Sequence, residues 1–318
     1  MAEKPLLVVT GATGAQGGSV IRALAASHEA SRFRIRGVCR DTEKDAAKRL
    51  ASSGVEVVSA ELSSEKDVRR ALAGAHAVFL ITAYTGNPGS REIEIQQGKL
   101  VATVSKELGV EHLIYSSLLS VTECSAGTIR TAHEFDSKAI VEQFIRQLKI
   151  PATFVLPGFY MSLFVPGDFI VRENRPPGTL RLELPLPVDE ANIPLIDITD
   201  DFGKFVVAAL LRREEFLGKR IMAAEAYYSM REIAATVNKF KAVHGSTCSV
   251  KQLSDDEYLR FQPSDGPSTN EKQIERLSMF RFMREFGYYQ NESLEGNKRV
   301  FGHQLKSFED FVKESEGF

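Results

Sequence analysis

The segment Gly11-Ala-Thr-Gly14-Ala-Gln-Gly17-Gly18 holds the residues in this sequence best suited to charged-ligand chemistry. Its glycines recur as Gly-x-x-Gly-x-x-Gly, one variant of the turn that binds a dinucleotide. In such a turn the first glycine permits a tight bend. The next lets the backbone approach a pyrophosphate, and the third lets helix and strand pack closely. The helix that follows presents unpaired N–H groups and a positive dipole end to the phosphates. A second charged cluster stands at Val38-Cys-Arg40-Asp41, with Lys44 one turn later and Arg40 lying 23 positions after Gly17. A guanidinium at that point pairs with a 2′-phosphate, whereas an Asp or Glu there holds a ribose 2′-hydroxyl. Arg40 therefore points to NADP. Asp41 would take the hydroxyl role if the register were one residue off.

These residues need a scaffold that brings them to one edge. Residues 6–10 form a continuous apolar run that ends in glycines, as a strand buried on both faces would. The pattern predicts a helix over Gln16 to Ser27 and further strands at Ile35–Cys39, Val55–Ala60, Ala77–Thr82 and His112–Ser116, with Phe154 and Val155 part of a sixth. Helical stripes run through Leu100, Val101, Val104 and Leu108, and through Ile140, Val141, Phe144, Ile145 and Leu148. Strand and helix alternate every 25 to 40 residues or so, the signature of βαβ units on a parallel sheet with right-handed crossovers. The expected fold is α/β: a doubly wound parallel sheet over residues 1–156, then a smaller C-terminal α+β domain over 157–318. About 191–222 should pack back on the sheet. Eight prolines between Pro151 and Pro194 predict long loops and short strands there. Helices are expected from Asp200 to Leu211, over 270–286 and over 304–316, with a mobile loop from Gln262 to Asn270.

Composition excludes several classes. The 318 residues carry 40 basic and 42 acidic side chains, a net charge of −2, so no strongly basic face is available for direct nucleic-acid binding. Three cysteines, Cys39, Cys124 and Cys248, are too few and too far apart for a disulfide framework. No apolar run reaches a membrane-spanning length, and the N-terminal run is too short for a signal peptide. A cytoplasmic protein with no membrane partner is expected. The six histidines include no metal-binding spacing, so no metal is expected, and no Gly-x-Ser-x-Gly elbow occurs.

Val9-Thr-Gly-Ala-Thr-Gly-Ala-Gln-Gly-Gly-Ser-Val20, Phe135-Asp-Ser-Lys138 and Pro157-Gly-Phe-Tyr-Met161 together resemble the NmrA-like family, atypical members of the short-chain dehydrogenase/reductase superfamily. Ile193-Pro-Leu-Ile-Asp197 followed by Asp200-Asp-Phe-Gly203 is also similar to it. The resemblance implies an NADP-binding Rossmann domain, a smaller C-terminal domain and a cleft between them. It maps the phosphate turn to Gly11, Ala12, Thr13, Gly14, Gln16 and Gly17, and the 2′-phosphate contacts to Arg40 and Lys44. Glu61 and Leu62 would border the adenine, and Thr82, Ala83 and Tyr84 the ribose. Lys138, Pro157 and Tyr160 complete the implied cofactor residues.

The catalytic half departs from the wider superfamily, in which a Tyr and a Lys four residues apart face the nicotinamide. Lys138 stands in the lysine position, but the residue four before it is Glu134. Lys138, Tyr160 and His133 are the catalytic candidates, with Tyr84 a further phenol. Ser116 and Ser117 close the fifth strand, where a substrate-orienting hydroxyl would stand. The leading expectation is an NADPH-dependent reductase of a small organic substrate (a carbonyl, imine or activated alkene), in keeping with family members in secondary metabolism. Phe159, Tyr160, Phe164 and Phe169 would wall its pocket. The alternative is a non-enzymatic NADP(H) redox sensor that regulates a protein partner such as a transcription factor, in which case a nuclear location is also expected.

Overall fold

The computed structural model describes residues 4–174, 177–190, 193–241, 247–260, 270–297 and 305–317. The chain divides into two units, and the first contains Met1–Ser120, Glu134–Pro157 and Ile198–Ala223. Seven strands build its sheet: β1 (Leu6–Val9), β2 (Arg34–Cys39), β3 (Glu56–Ser59), β4 (Ala75–Leu80), β5 (His112–Ser116), β6 (Ala152–Pro157) and β7 (Arg220–Ala223). Their order is β7-β6-β5-β4-β1-β2-β3, and every pairing is parallel. β1, β5 and β6 are buried at every residue; β1 reads as an unbroken apolar run, while β5 carries His112 and Ser116 and β6 carries Thr153 among apolar residues. The order reverses between β1 and β4, so the connections after these two strands leave a crevice at the carboxyl edge.

The helices of this unit are α1 (Ala15–Ala26), α2 (Asp45–Ser52), α3 (Glu65–Leu72), α4 (Ser90–Glu107), α5 (His133–Gln147) and α6 (Phe202–Leu211). Ser19 Oγ accepts the Gly203 N–H at 2.9 Å, tying α6 to α1. The fourth strand ends two residues before the expected Thr82. Its last pairing with β1 is completed by a side chain: Thr10 Oγ1 accepts the Ile81 N–H at 2.8 Å and donates to the Ile81 carbonyl at 3.1 Å. The hydroxyl replaces a peptide unit, and the chain leaves the sheet beyond it.

The second unit comprises Val121–His133, Gly158–Asp197 and Ala224–Phe318. Strand Ile193–Ile196 pairs with Phe159–Tyr160 in parallel and with Ala226–Tyr228 in antiparallel fashion. Strand Pro177–Leu184 lies between Ile170–Asn174 and Cys248–Gln252. At eight residues it is longer than the proline-rich stretch suggested, because Pro177 stands at its first position, where a missing N–H is tolerated. Helix Asn270–Phe286 forms where expected, whereas residues 304–316 yield a shorter helix, Phe308–Glu314, that starts at its Ser307 cap. Residues 262–269 of the expected loop lie outside the described residues.

The aromatic residues after β6 differ from expectation. Phe159, Phe164 and Phe169 are buried and pack on one another and on helices rather than lining an open pocket. Phe159 and Phe169 lie 5.9 Å apart, Phe169 and Phe280 5.6 Å, and Phe164 and Phe308 6.0 Å between ring centroids. Apolar rings with no polar group to satisfy gain most by leaving water altogether. Tyr160, which carries a hydroxyl, stays half-buried.

Candidate functional site

The glycine turn joins β1 to α1 at the point where the strand order reverses. Gly11 takes φ +59°, and a Cβ there would also lie 2.8 Å from Ile81 Cγ2. A Cβ on Gly17 would fall on the Gly11 carbonyl oxygen, so only glycine allows α1 to start this close to the strand. Ala12 donates its N–H to the Val38 carbonyl at 3.1 Å, and Gly14 donates to Gly11 at 2.9 Å, which fix the turn's shape. The N-terminus of α1 is bare. Its cap residue is Gly14, no side chain caps it, and no acidic residue occupies its first turn. The contrast with α3 is plain, since there Ser64 Oγ accepts the Asp67 N–H and Glu65 and Asp67 fill the first turn. The N–H groups of its first turn therefore face the crevice, with no acidic residue in that turn to neutralise them. Gln16 is buried and Thr13 is exposed beside them.

Arg40 follows β2 directly and is exposed. Among the described residues its guanidinium has neither a hydrogen-bond nor an ion-pair partner, and the same holds for the Lys44 ammonium. Several other surface cations in this unit are paired, as Arg36 is with Glu56 at 2.8 Å and Arg70 with Asp67 at 2.9 Å. Ser59 Oγ donates to the Arg40 carbonyl at 2.8 Å and steadies its backbone. Asp41 accepts the Glu43 N–H at 2.9 Å, a local turn bond that occupies one of its carboxylate oxygens. Beyond β3, Gln97 Nε2 donates to Glu61 Oε1 at 3.2 Å and to Ser63 Oγ at 2.9 Å. Glu61 and Ala83 are exposed, and Leu62 and Tyr84 are half-buried.

Thr82 points inward. Its Oγ1 donates to Glu94 Oε1 at 2.8 Å, and Lys138 and Ser137 donate to the same carboxylate. Glu94 has no exposure and Lys138 only 4%. Ser117 also turns into the unit and donates to the buried Glu142 at 2.7 Å, where Arg146 and Arg220 complete the ion pairs. Ser116 Oγ is buried with no hydrogen-bond partner among the described residues. Pro157 ends β6, opposite Ala223 of β7. The first unit thus brings the glycine turn, Arg40, Lys44, Glu61, Leu62, Thr82, Ala83, Tyr84, Lys138 and Pro157 to one sheet. Tyr160 and His133 belong to the second unit, with His133 half-buried at the start of α5. Sequence reasoning missed Glu94. The available signal was its position on the stripe Glu94, Gly98, Val101, Ser105, an acid on the buried face of an amphipathic helix.

A seven-stranded parallel sheet with helices between its strands and a glycine turn at its switch point defines a doubly wound, Rossmann-type α/β protein. The NmrA-like family profile matches residues 3–312. The oxidoreductase cpsB of Aspergillus campestris, an NmrA-like family domain-containing protein, is 31% identical over 260 residues, covering 77% of this chain and 74% of that one. Among solved structures, NmrA, a negative transcriptional regulator in complex with NADP, superposes with a TM-score of 0.78 at 19% identity, covering 98% of this chain and 95% of its own. The triphenylmethane reductase of Citrobacter sp., complexed with NADP(H), has a TM-score of 0.74 at 21% identity, covering 98% and 99%. The chain belongs to the NmrA-like family.

Proposed function

We propose that this protein is an NADPH-dependent reductase of a small organic substrate carrying a carbonyl, an imine or an activated alkene. The observation that carries the reading is the bare N-terminus of α1 at the switch point, uncapped and acid-free, beside the unpaired Arg40. The residues fit the nucleotide. A pyrophosphate would lie on the turn from Gly11 through Gly17, with Thr13, Gln16 and Gly17 offering N–H groups, while Ala12 and Gly14, whose N–H groups are spent on Val38 and Gly11, set the turn's shape, and any Cβ on Gly17 would close the approach. Arg40 and Lys44 would hold a 2′-phosphate, since neither cation has an ion-pair partner among the described residues. Glu61 and Leu62 would border the adenine. The segment Thr82–Tyr84 would border the ribose through its backbone, because the Thr82 hydroxyl is committed to Glu94.

When bound, the nicotinamide supplies a hydride, and the protein's part is positioning and one proton. Lys138 holds an ammonium at the carboxyl edge, where it would bind a hydroxyl or carbonyl oxygen. Pro157, the last residue of β6, would stand on the nicotinamide side. The Tyr160 phenol and the His133 imidazole are the groups able to pass a proton to a reduced oxygen. Support also comes from the relatives, of which cpsB is an oxidoreductase and the Citrobacter protein a reductase.

The test is calorimetric titration with NADPH, NADP, NADH and NAD on the wild type and on Arg40→Ala, followed by NADPH consumption with quinone, imine and triphenylmethane-dye substrates. A charge-assisted contact contributes about 1.5–3 kcal/mol, so Arg40→Ala should weaken NADPH binding by roughly 10- to 150-fold and leave NADH unchanged. Equal affinity for NADH in the wild type would return the cofactor question to Asp41. A second reading, an NADP(H) sensor read by a protein partner such as a transcription factor, is favoured by one observation. Glu134 stands where a tyrosine would pair with Lys138, whose ammonium is already bound to Glu94. Tight NADPH binding without turnover of any substrate class would support that reading over the enzyme.

A further inference from the structure

Glu94 is fully buried on a helix whose other acids, Glu92 and Glu107, face water. The packing of α4 on α5 explains how it meets Lys138. A Cβ on Gly98 would lie 2.6 Å from both methyl carbons of Val141, so the missing side chain sets how near the two helices come. About one turn earlier on each helix stand Glu94 and Lys138.

Both carboxylate oxygens are used. Oε1 accepts from Lys138 Nζ and from Thr82 Oγ1, and Oε2 accepts from Ser137 Oγ. Tyr115 OH lies 3.5 Å from Thr82 Oγ1, and because the Thr82 proton goes to Glu94, the phenol is the donor of that long contact. Burial, reinforced by the Glu94 charge, holds the Tyr115 phenol well above its ordinary value, so it stays protonated and serves only as a prop. An ammonium carries three N–H bonds. Glu94 takes one, and among the described residues no second acceptor reaches Lys138 Nζ. The chain of contacts runs from Thr82, just past the carboxyl end of β4, to Lys138 on α5.

We propose that Glu94 is the positioning residue of this site: it holds the Lys138 ammonium in a buried ion pair and aims the two remaining N–H bonds at oxygens of the bound nucleotide's nicotinamide ribose. This role rests on the nucleotide-binding reading above. A carboxylate that merely packs would affect stability alone. One that governs Lys138 must also set how binding responds to pH, because burial without a partner anion favours the neutral amine. The titratable groups joined in the network are Glu94 from α4, Lys138 from α5 and Tyr115 from β5.

The experiment measures NADPH affinity by calorimetry between about pH 6.5 and 9.5 for the wild type, Glu94→Gln, Lys138→Met and the double variant, with unfolding midpoints alongside. The wild type should be flat with pH. Lys138→Met should bind about tenfold more weakly at every pH. Glu94→Gln should approach the wild type at the acid end and fall to the level of Lys138→Met at the alkaline end, with the double variant no weaker than Lys138→Met alone. Should Glu94→Gln not fold, Ser137→Ala removes one donor to the carboxylate without leaving an unpaired charge, and a smaller alkaline loss is expected. A Glu94→Gln or Ser137→Ala profile parallel to the wild type, with effects additive to Lys138→Met, overturns the role of Glu94 alone. A wild type that binds no NADPH refutes the nucleotide reading itself and takes this role with it.

Discussion

Replacing His112 by asparagine should make the protein more tolerant of acid, and the size of the effect follows from three contacts. His112 opens β5 and is 1% exposed. Its Nε2 lies 2.9 Å from Thr153 Oγ1, and Thr153 in turn donates its hydroxyl proton to the Phe216 carbonyl at 3.1 Å. Thr153 can therefore only accept from the ring, which places the imidazole proton on Nε2 and leaves Nδ1 bare. Nδ1 is buried with no partner among the described residues, so a proton added there would find no acceptor among them. Burial first, then the charges of Arg213 and His76, push the imidazole down from 6.5 to about 4. Below pH 6.5 the unfolded chain takes up a proton that the folded chain refuses. Stability is thus complete above that pH and falls as the pH drops toward 4. At about 1.4 kcal/mol per unit the whole interval amounts to about 3 kcal/mol, of which about 2 kcal/mol is lost by pH 5. Urea unfolding of the wild type and His112→Asn at pH 8, 7, 6 and 5 is the assay. The variant begins less stable because it loses packing, but the gap should close by about 2 kcal/mol at pH 5. Parallel curves for the two proteins would refute both the tautomer and the argument from burial.

Three further outcomes follow from the same structure. Gly17→Ala places a methyl group on the Gly11 carbonyl and should cost about 1–3 kcal/mol of stability by overpacking while abolishing nucleotide binding, both measurable on one preparation. Thr10→Val keeps the shape but strips Ile81 of both hydrogen bonds, so a loss of about 1–3 kcal/mol in urea unfolding is expected, with no change in the denaturant slope. Burial pushes the Cys248 thiol up to about 12, so an alkylating reagent at pH 8 should leave Cys248 unmodified in the native protein, as mass spectrometry of the digested protein will reveal.

The strands of the parallel sheet were legible because a strand buried on both faces is mostly apolar, and Leu6–Val9 and the Leu113-Ile-Tyr115 centre of the fifth strand say so without any partner in view. The glycine turn was legible for a related reason. Its demands are local: Gly11 needs a left-handed backbone and Gly17 a vacant Cβ, and both fall within one short segment. The end of β4 was misjudged because Ile81 and Thr82 are as strand-like as their predecessors, and only the Thr10 side chain, 71 positions away in sequence, decides where pairing stops. Phe159, Phe164 and Phe169 were misjudged because an aromatic cluster has the same sequence pattern whether it lines a cavity or fills a core.

Sequence alone determined whatever depends on a residue and its near neighbours: apolar runs, helical stripes, the glycine turn and the basic pair at the end of β2. Tertiary structure decided the partnerships between distant charges. Lys138 could be named from its motif, but nothing in that motif shows that Glu94, 44 positions earlier, takes its proton-rich end. That pairing exists because Gly98 lets two helices approach, and because a buried charge must find its opposite wherever the fold brings one within reach.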